Sequence, residues 1–563
     1  VTTASTRAQA ADEALTTGQM NSDIRRVARE YFGWESLRPG QLEAIVGVLE
    51  GHDSLVVMPT GYGKSAVYQL AGALVNGPTV VVSPLIALQA DQVAGIRSRR
   101  RAPDAAAINS AQNDRQNDEA WRSLSTGNSE YLFLAPEQLA KDDVVDRLRE
   151  LRVQLFVVDE AHCVSSWGHD FRPDYLRLGD VIDRLGRPTV LALTATGSAP
   201  VREEILERLK MREPRVLTRG FDRPNLRLEV VRHSEDSAKR DAVVGQIANL
   251  PKPGLLYVAT RRDTERFASE LNERGIRATA YHGGLNAAER RTAHESFLAD
   301  EVDVVVATSA FGMGIDKPNV RFVLHAAVTD SIDSYYQEIG RAGRDGEAAT
   351  VTLHYRSEDL GLRTFFTART PDKAALTQAF AALTAAKEPV RPGALARDLG
   401  ISSRKLTGLL NLFVEAGVLE SRPRGLKAVR STTPADAVRL AVEASESRER
   451  IEHSRLAMMR GYAETRACRR VVLLGYFGDE LSEPCRNCDT CSDGSAFEAA
   501  PENADSPFLP DTHVRHGEWG EGTVMSIDDD RITVFFESEG YKVLSLDAVQ
   551  ERGLLETLAA NPA

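Results

Sequence analysis

Cysteines and aromatics are few in this chain of 563 residues, and long apolar runs are missing. Only five cysteines occur, and in a large cytosolic chain clustered cysteines more often mean metal than disulfides. No run of about 18 apolar residues is present, so no membrane span is expected. Residues 1–20 lack a basic-then-apolar pattern, so no secretory signal is expected and a cytoplasmic location follows. An excess of positive charge is also missing. The net charge of −12 speaks against a uniformly basic nucleic-acid binder. Lysine is scarce, 11 against 58 arginines, which reflects genomic base composition more than function. What is there is ordinary for a globular protein: 42% hydrophobic and 27% charged residues. Those values exclude a collagen-like, coiled-coil or wholly disordered chain. The length predicts about three to five domains.

The negative charge is unevenly spread. Residues 492–563 hold 15 acidic and four basic residues, while the rest of the chain has a net charge of only −1. The body can therefore carry local basic surfaces. Four of the five cysteines, Cys468, Cys485, Cys488 and Cys491, fall within 24 residues. The fifth, Cys163, reads as a small buried residue.

From Asn21 to about Arg215, short β-branched runs alternate with helical stretches. The strand candidates are Ser54–Met58, Thr79–Ser83, Tyr131–Ala135, Leu155–Asp159 and Thr189–Thr194. From about Val216 to Arg356 the pattern recurs at Gly254–Ala259, Ala278–Tyr281, Val302–Ala307, Phe322–His325 and Val351–Tyr355. This predicts two α/β lobes with doubly wound parallel sheets. After Ser357 strands are not expected until Thr512, where short runs separated by Gly/Asp turns suggest a small β-barrel.

Ser54-Leu-Val-Val-Met58 leads into Pro59-Thr60-Gly61-Tyr62-Gly63-Lys64-Ser65 and then a helical pattern. A strand, a Gly-bearing loop and a helix start aim backbone N–H groups and a dipole at an anion. Lys64 suits the β/γ-phosphates of ATP and Ser65 suits Mg²⁺. The strict phosphate-loop pattern fails at Met58. Leu155-Phe-Val-Val-Asp159-Glu160-Ala-His162 ends an apolar strand in two carboxylates. Asp159 is the expected Mg²⁺ partner and Glu160 the group that polarises the attacking water. Gln337-Glu-Ile-Gly-Arg341-Ala-Gly-Arg344 places two arginines three apart in an expected helix, where they share a face. Two guanidiniums suit charge developing on a γ-phosphate. ATP is expected between the lobes.

These stretches together resemble the RecQ family of superfamily 2 DNA helicases, with a DEAH box. Phe32-Gly-Trp34-Glu-Ser-Leu-Arg38-Pro-Gly-Gln41 resembles the family's adenine-recognition element. Ser83-Pro-Leu-Ile-Ala-Leu88 resembles motif Ia. Asp159 to Tyr175 combines the DEAH box with an aromatic-rich loop, and Ala307 to Phe322, including Asp316, resembles motif V. The match covers about residues 24–357. The resemblance implies RecA-like lobes, ATP-dependent 3′→5′ movement on single-stranded DNA and unwinding of duplex DNA in repair and recombination, at the bacterial nucleoid.

Trp34 and Arg38 can sandwich adenine while Gln41 bonds its edge; otherwise they begin an amphipathic helix. Trp167 and Phe171, beside Arg172, can stack on unpaired bases and sense nucleotide through His162; the rival reading is core aromatics. Ser83, Thr194, Thr260, Arg261, His282 and Thr308 stand at strand ends suited to the DNA backbone, with a structural role as the rival for each. Tyr62 replaces the family's usual Gly, and Gly197 its usual Ala.

Cys468-(x16)-Cys485-x-x-Cys488-x-x-Cys491 is a four-thiolate pattern for a closed, structural Zn²⁺ site, with free thiols or an iron–sulfur cluster as rivals. Its surroundings also resemble the RecQ zinc-binding segment. In typical relatives a winged helix follows the zinc segment, and here it is not evident. Instead, residues 390–432 read as an inserted helix-turn-helix, with Ser402 capping the second helix. Residues 391–430 carry eight basic and three acidic residues, so Arg404 and Lys405 are candidate DNA contacts; a packing-only unit is the rival. The C-terminal Val514 to Phe536 resembles Tudor/SH3-like barrels. Its acidity points to a protein partner or a passive cap.

The expected parts are a flexible tail (1–20), helicase lobe 1 (21–215), helicase lobe 2 (216–357), a helical connector (358–389), the inserted helix-turn-helix or winged-helix-like unit (390–432), a zinc-binding region (433–492), an acidic linker (493–511) and the barrel (512–556). Two rival activities stay open. One is an ATP-dependent RNA helicase; the other is an ATP-gated DNA-binding scaffold without unwinding. No membrane association is expected.

Overall fold

The computed structural model describes residues 18–99, 101–109, 112–165, 172–312, 317–360, 371–386, 390, 392–422, 425–429, 432–498, 508, 512–528, 531–536 and 539–558. Two compact units divide the chain at Gly220/Phe221. Among the described residues, no helix is long and apolar enough to cross a membrane.

The first unit is built on seven strands: β1 (Ser54–Val57), β2 (Thr79–Val82), β3 (Asp104–Ile108), β4 (Ser129–Leu134), β5 (Leu155–Val158), β6 (Thr189–Thr194) and β7 (Arg215–Thr218). Their spatial order is β3-β4-β2-β5-β6-β1-β7, and every pairing is parallel. The strands β1, β2 and β5 are buried along their whole length, as expected when helices cover both faces of a parallel sheet. Tyr68, Tyr131, Phe133 and Leu193 are among the core side chains packed there with Phe32 and Ile45. The strand β3 was not among the sequence's candidates. Its Ala-Ala-Ala run favours helix locally, and pairing with β4 overrides that preference. The first sheet also claims Arg215–Thr218, which lies across the expected lobe boundary at 215/216.

The second unit opens with a six-stranded parallel sheet. Its strands are β8 (Leu226–Arg232), β9 (Gly254–Tyr257), β10 (Ala278–Tyr281), β11 (Val304–Ala307), β12 (Phe322–His325) and β13 (Ala349–Tyr355), in the order β10-β11-β9-β12-β13-β8. The edge strand β8 is half-exposed over much of its length, so it lacks the apolar run that revealed the others.

The expectation of no strands between 357 and 512 is corrected. Helices Lys373–Ala385, Pro392–Leu399 and Ser403–Glu415 are followed by an antiparallel hairpin of β14 (Leu419–Arg422) and β15 (Gly425–Ala428). The basic, turn-rich sequence hides it, but the hairpin is held because Leu419 and Leu426 join the core of the helices, with Phe380, Leu406 and Phe413. Ser402 caps its helix as expected, its Oγ accepting the Lys405 N–H at 3.2 Å. The helix Pro434–Glu464 then runs to the zinc-type cysteines, with Thr433 as its N-cap.

At the C-terminus, β16 (His513–His516), β17 (Gly520–Asp528), β18 (Arg531–Phe536), β19 (Gly540–Ser545) and β20 (Leu555–Thr557) form an antiparallel sheet in the order β19-β18-β17-β16-β20. What is present is a sheet; among the described residues no pairing joins β19 to β20, as a closed barrel of that strand order would have. The sheet rests on the long helix. The Tyr541 N–H donates to Ser454 Oγ, and Arg450 pairs with Glu539 at 3.4 Å.

Candidate nucleotide and zinc sites

In the first unit β5, β6 and β1 are consecutive neighbours and parallel. Their carboxyl ends therefore deliver Asp159, Thr194 and the loop after Val57 to one edge, where open α/β sheets bind ligands. Gly61 and Gly63 have φ of 79° and 88°, a left-handed conformation that admits glycine readily. Gly63 then caps the helix Lys64–Gly72. A Cβ at Gly63 would lie 2.7 Å from Gln41 Nε2.

Gln41 braces this loop. Its Nε2 donates to the carbonyls of Tyr62 (3.2 Å) and Gly63 (2.9 Å), and its Oε1 accepts the Arg38 N–H at 2.7 Å. Arg38 Nη1 donates to the Gly61 carbonyl at 2.5 Å and the guanidinium sits 5.5 Å from the Tyr62 ring centre. Lys64 Nζ donates to the Met58 carbonyl at 3.1 Å. Ser65 Oγ accepts from Gln92 Nε2 at 3.4 Å, and Gln92 is held by the Tyr68 hydroxyl. One face of Trp34 stacks on Phe32 at 4.8 Å, and Arg99 lies 5.8 Å from the Trp34 ring centre. Trp34 and Arg38 also line an open groove of about 740 Å³. Thr60 is half-buried beside the exposed Gly61.

Asp159 follows β5. Its Oδ1 accepts the Glu160 N–H at 3.0 Å, and its carbonyl accepts the Tyr175 hydroxyl at 3.3 Å. Burial, then the Glu160 charge, push Asp159 up to about 7, against the pull of Lys64. A carboxylate so raised is one that a bound cation would return to its ionised form. Ser65 and Asp159 thus suit Mg²⁺. Glu160 Oε2 lies 3.4 Å from His162 Nδ1, which is 3.0 Å from Thr194 Oγ1. The Thr194 hydroxyl donates to the Thr196 carbonyl at 2.7 Å, so Nδ1 is the donor toward Thr194. His162 therefore stands between Glu160 and the end of β6.

In the second unit the helix Ile332–Ile339 carries Gln337, buried at its end. The expected helical setting of the two arginines is corrected. The helix stops at Gly340, and Gly343 takes φ 54°. A Cβ at Gly343 would meet Asn225 Nδ2 at 2.4 Å, so the chain turns there. Arg341 ends 2% exposed beside Tyr257, with no hydrogen-bond partner for its Nε among the described residues, while Arg344 is half-buried. Thr260 caps the helix Arg261–Glu273, and Arg261 is exposed. His282 is buried, its Nδ1 accepting the Gly284 N–H at 3.1 Å. Thr308 is half-buried. In the first unit Ser83 is buried, and Arg172 Nη1 donates to the Pro84 carbonyl at 2.8 Å. Lys405 is exposed and pairs with Asp372 at 2.9 Å. Trp167, Phe171, Asp316 and the Arg404 side chain lie outside the described residues. The braces Gln92, Tyr175 and Asn225 were missed, because each works through contacts distant in sequence.

The ligand atoms of Cys468, Cys485, Cys488 and Cys491 all lie within 4.8 Å of one another. Tetrahedral Zn²⁺ with bonds of about 2.3 Å separates its sulfurs by about 3.8 Å, and Cys488 Sγ is 4.0 Å from Cys468 Sγ. The four thiols fit the ion and leave no open position. The Cys485 N–H donates to Cys468 Sγ at 3.2 Å, and Arg469, 3% exposed, clamps Asp489 with Nε and Nη2 at 3.0 and 3.1 Å. Asp489 in turn accepts the Val230 N–H at 3.0 Å, so the cysteine segment covers the open edge of β8.

Residues 38–205 match the DEAD/DEAH box helicase family and residues 238–346 the helicase conserved C-terminal domain. Residues 428–492 match the RecQ zinc-binding family, and 511–551 a protein family of unknown function (DUF3553). The chain is 34% identical over 468 residues to the ATP-dependent DNA helicase RecQ of Pasteurella multocida, covering 83% of this chain and 62% of that protein. It is 41% identical over 337 residues to the protein of the same name from Bacillus subtilis, covering 60% and 56%. It is 38% identical over 331 residues to the probable ATP-dependent DNA helicase RecS of Bacillus subtilis, covering 59% and 66%. The chain thus spans less than two thirds of the length of each.

Proposed function

The chain belongs to the RecQ family of superfamily 2 helicases, and from that membership we propose that it is an ATP-dependent DNA helicase moving 3′→5′ on single-stranded DNA. The observation that carries this reading is the meeting of Lys64, Thr194 and the raised Asp159 at one edge of a parallel sheet. Lys64 and the N–H groups of the loop bind the β/γ-phosphates. Ser65 and Asp159 would hold Mg²⁺, which would screen the phosphate charge. Glu160, oriented through His162, polarises the attacking water. Arg341 and Arg344 answer charge on the γ-phosphate, with Arg344 as the arginine finger and Gln337 beside them. Thr60, Gly61, Tyr62 and Gly63 shape the nucleotide pocket, with Trp34, Arg38 and Gln41 around it, and Asp316 takes part in nucleotide binding. Ser83, Trp167, Phe171, Arg172, Thr260, Arg261, His282 and Thr308 follow the DNA strand.

The basic helix and hairpin of residues 390–432 contact duplex DNA through Arg404 and Lys405. The C-terminal module is of the Tudor/SH3-like kind and receives a protein partner. The protein acts at the bacterial nucleoid. The test is ATP turnover with matched single-stranded DNA and RNA oligomers. DNA should raise the rate at least about tenfold over RNA. Equal or greater stimulation by RNA overturns the DNA assignment, and no stimulation by either overturns the motor.

A further inference from the structure

The helix Ile332–Ile339 leads directly into Arg341 and Arg344, and seven of its eight residues are buried. The cysteine-bearing segment grips it at three points. Tyr462 faces Tyr335 with ring centres 5.2 Å apart. Phe477 packs on Tyr336 at 4.7 Å and lies flat on Phe221, also at 4.7 Å, while the Tyr336 hydroxyl donates to the Phe221 carbonyl. The third point is polar: the Tyr476 hydroxyl donates to Oδ2 of Asp333, a carboxylate only 2% exposed. Asp333 stands one turn before Gln337.

A buried carboxylate is costly unless hydrogen-bonded, so this bond fixes where the first turn of the helix can lie. Its donor is fixed in turn. The Tyr476 ring is flanked by Phe477 at 5.0 Å and by Tyr541 at 5.9 Å. Tyr541 belongs to β19, is 4% exposed, and is itself backed by Phe535 at 5.1 Å. Its backbone is tied to the long helix through Ser454. A continuous packed path therefore runs from the C-terminal sheet through Tyr541 and Tyr476 to Asp333 and the start of the arginine-bearing segment.

We propose that the C-terminal module, whose matching family has no known function, is a positioning element for ATP hydrolysis, acting through Tyr541, Tyr476 and Asp333. The proposal rests on the helicase reading above. Tyr476 and Asp333 are positioning residues. They set the register of the helix so that Gln337, Arg341 and Arg344 arrive aligned, and a misplacement of about 1 Å can cost up to about a hundredfold in rate.

The experiment measures DNA-stimulated ATP turnover of the full chain, with kcat and KM taken separately, together with zinc per chain and the thermal midpoint. Tyr476→Phe keeps the ring and removes the hydroxyl. It should lower kcat about tenfold, the worth of one hydrogen bond to a charged group, and leave the KM for ATP within about twofold. Tyr541→Ala should lower kcat about threefold, Tyr541→Phe should restore it, and the double variant Tyr476→Phe/Tyr541→Ala should be no slower than Tyr476→Phe alone. Zinc content should stay unchanged throughout. Unaltered kcat in Tyr476→Phe, multiplying effects in the double variant, or losses that track zinc or unfolding overturn the positioning role. If Tyr476→Phe fails to fold, the Tyr541 pair decides by itself: unaltered kcat in Tyr541→Ala, or no restoration by Tyr541→Phe, overturns it. A wild-type chain without DNA-stimulated turnover overturns the helicase reading instead, and the positioning role with it.

Discussion

Asp159→Asn should stabilise the magnesium-free protein at pH 8 while abolishing ATP hydrolysis. The folded carboxyl is held near 7 by burial and by Glu160, against an ordinary 3.8. A folded value above the unfolded one means that folding binds the proton more tightly. The penalty is therefore absent below about pH 4, grows between about 4 and 7, and is complete above about 7. A rise of that size corresponds to about 4 kcal/mol. Asp159 is only partly covered from solvent, and screening trims this to about 2 kcal/mol. An uncharged amide keeps the acceptor for the Glu160 N–H and removes that penalty. In a unit of this size about 2 kcal/mol raises the melting temperature by about 4–8 °C. The assay is thermal unfolding in chelator, wild type against variant, at pH 8 and at pH 5. The gain should shrink toward the lower pH. An equal or lower midpoint at pH 8, or a gain independent of pH, refutes the account of this carboxyl.

Gln41→Ala removes the brace on the Tyr62 and Gly63 carbonyls, and the KM for ATP should rise about tenfold with a smaller change in kcat; an unchanged KM contradicts the brace. Arg344→Ala should lower kcat by about 10²–10³ while nucleotide binding survives. Parallel loss of binding, read with a fluorescent ATP analogue, contradicts the finger role. Arg469→Met breaks the pair with Asp489 and should cost about 3 kcal/mol in denaturant unfolding, with less zinc retained per chain; full zinc and an unshifted midpoint contradict the clamp.

The features that read directly from the sequence are those written in consecutive residues. The glycine-bearing loop from Pro59 to Ser65, the Asp159-Glu160 pair and the closely spaced Cys485, Cys488 and Cys491 each need only neighbours in the chain. The central strands β1, β5 and β11 also read well, because burial on both faces leaves continuous apolar runs. What escaped depends on distant partners. The Ala-rich β3 and the half-exposed edge strand β8 resemble other structure until a neighbour pairs with them. The hairpin β14–β15 is polar apart from Leu419 and Leu426. Arg341 and Arg344 share helical spacing, yet Gly340 and Gly343 turn the chain and separate their fates, one buried and one half-exposed. Gln41 has an amide suited to a base edge, but its hydrogen bonds go to the loop 21 and 22 residues later. The link from Tyr476 to Asp333 spans 143 residues, and no local pattern announces it.

The central claim is that nucleotide held at the Lys64 loop drives strand separation. Displacement of a labelled strand from a DNA duplex with a 3′ single-stranded tail tests it most directly, in wild type and in Lys64→Ala. The account predicts ATP-dependent displacement by the wild type, and none by the variant although it still binds the tailed DNA. Displacement that survives in Lys64→Ala, or a wild type that hydrolyses ATP on this substrate without releasing the strand, would contradict it.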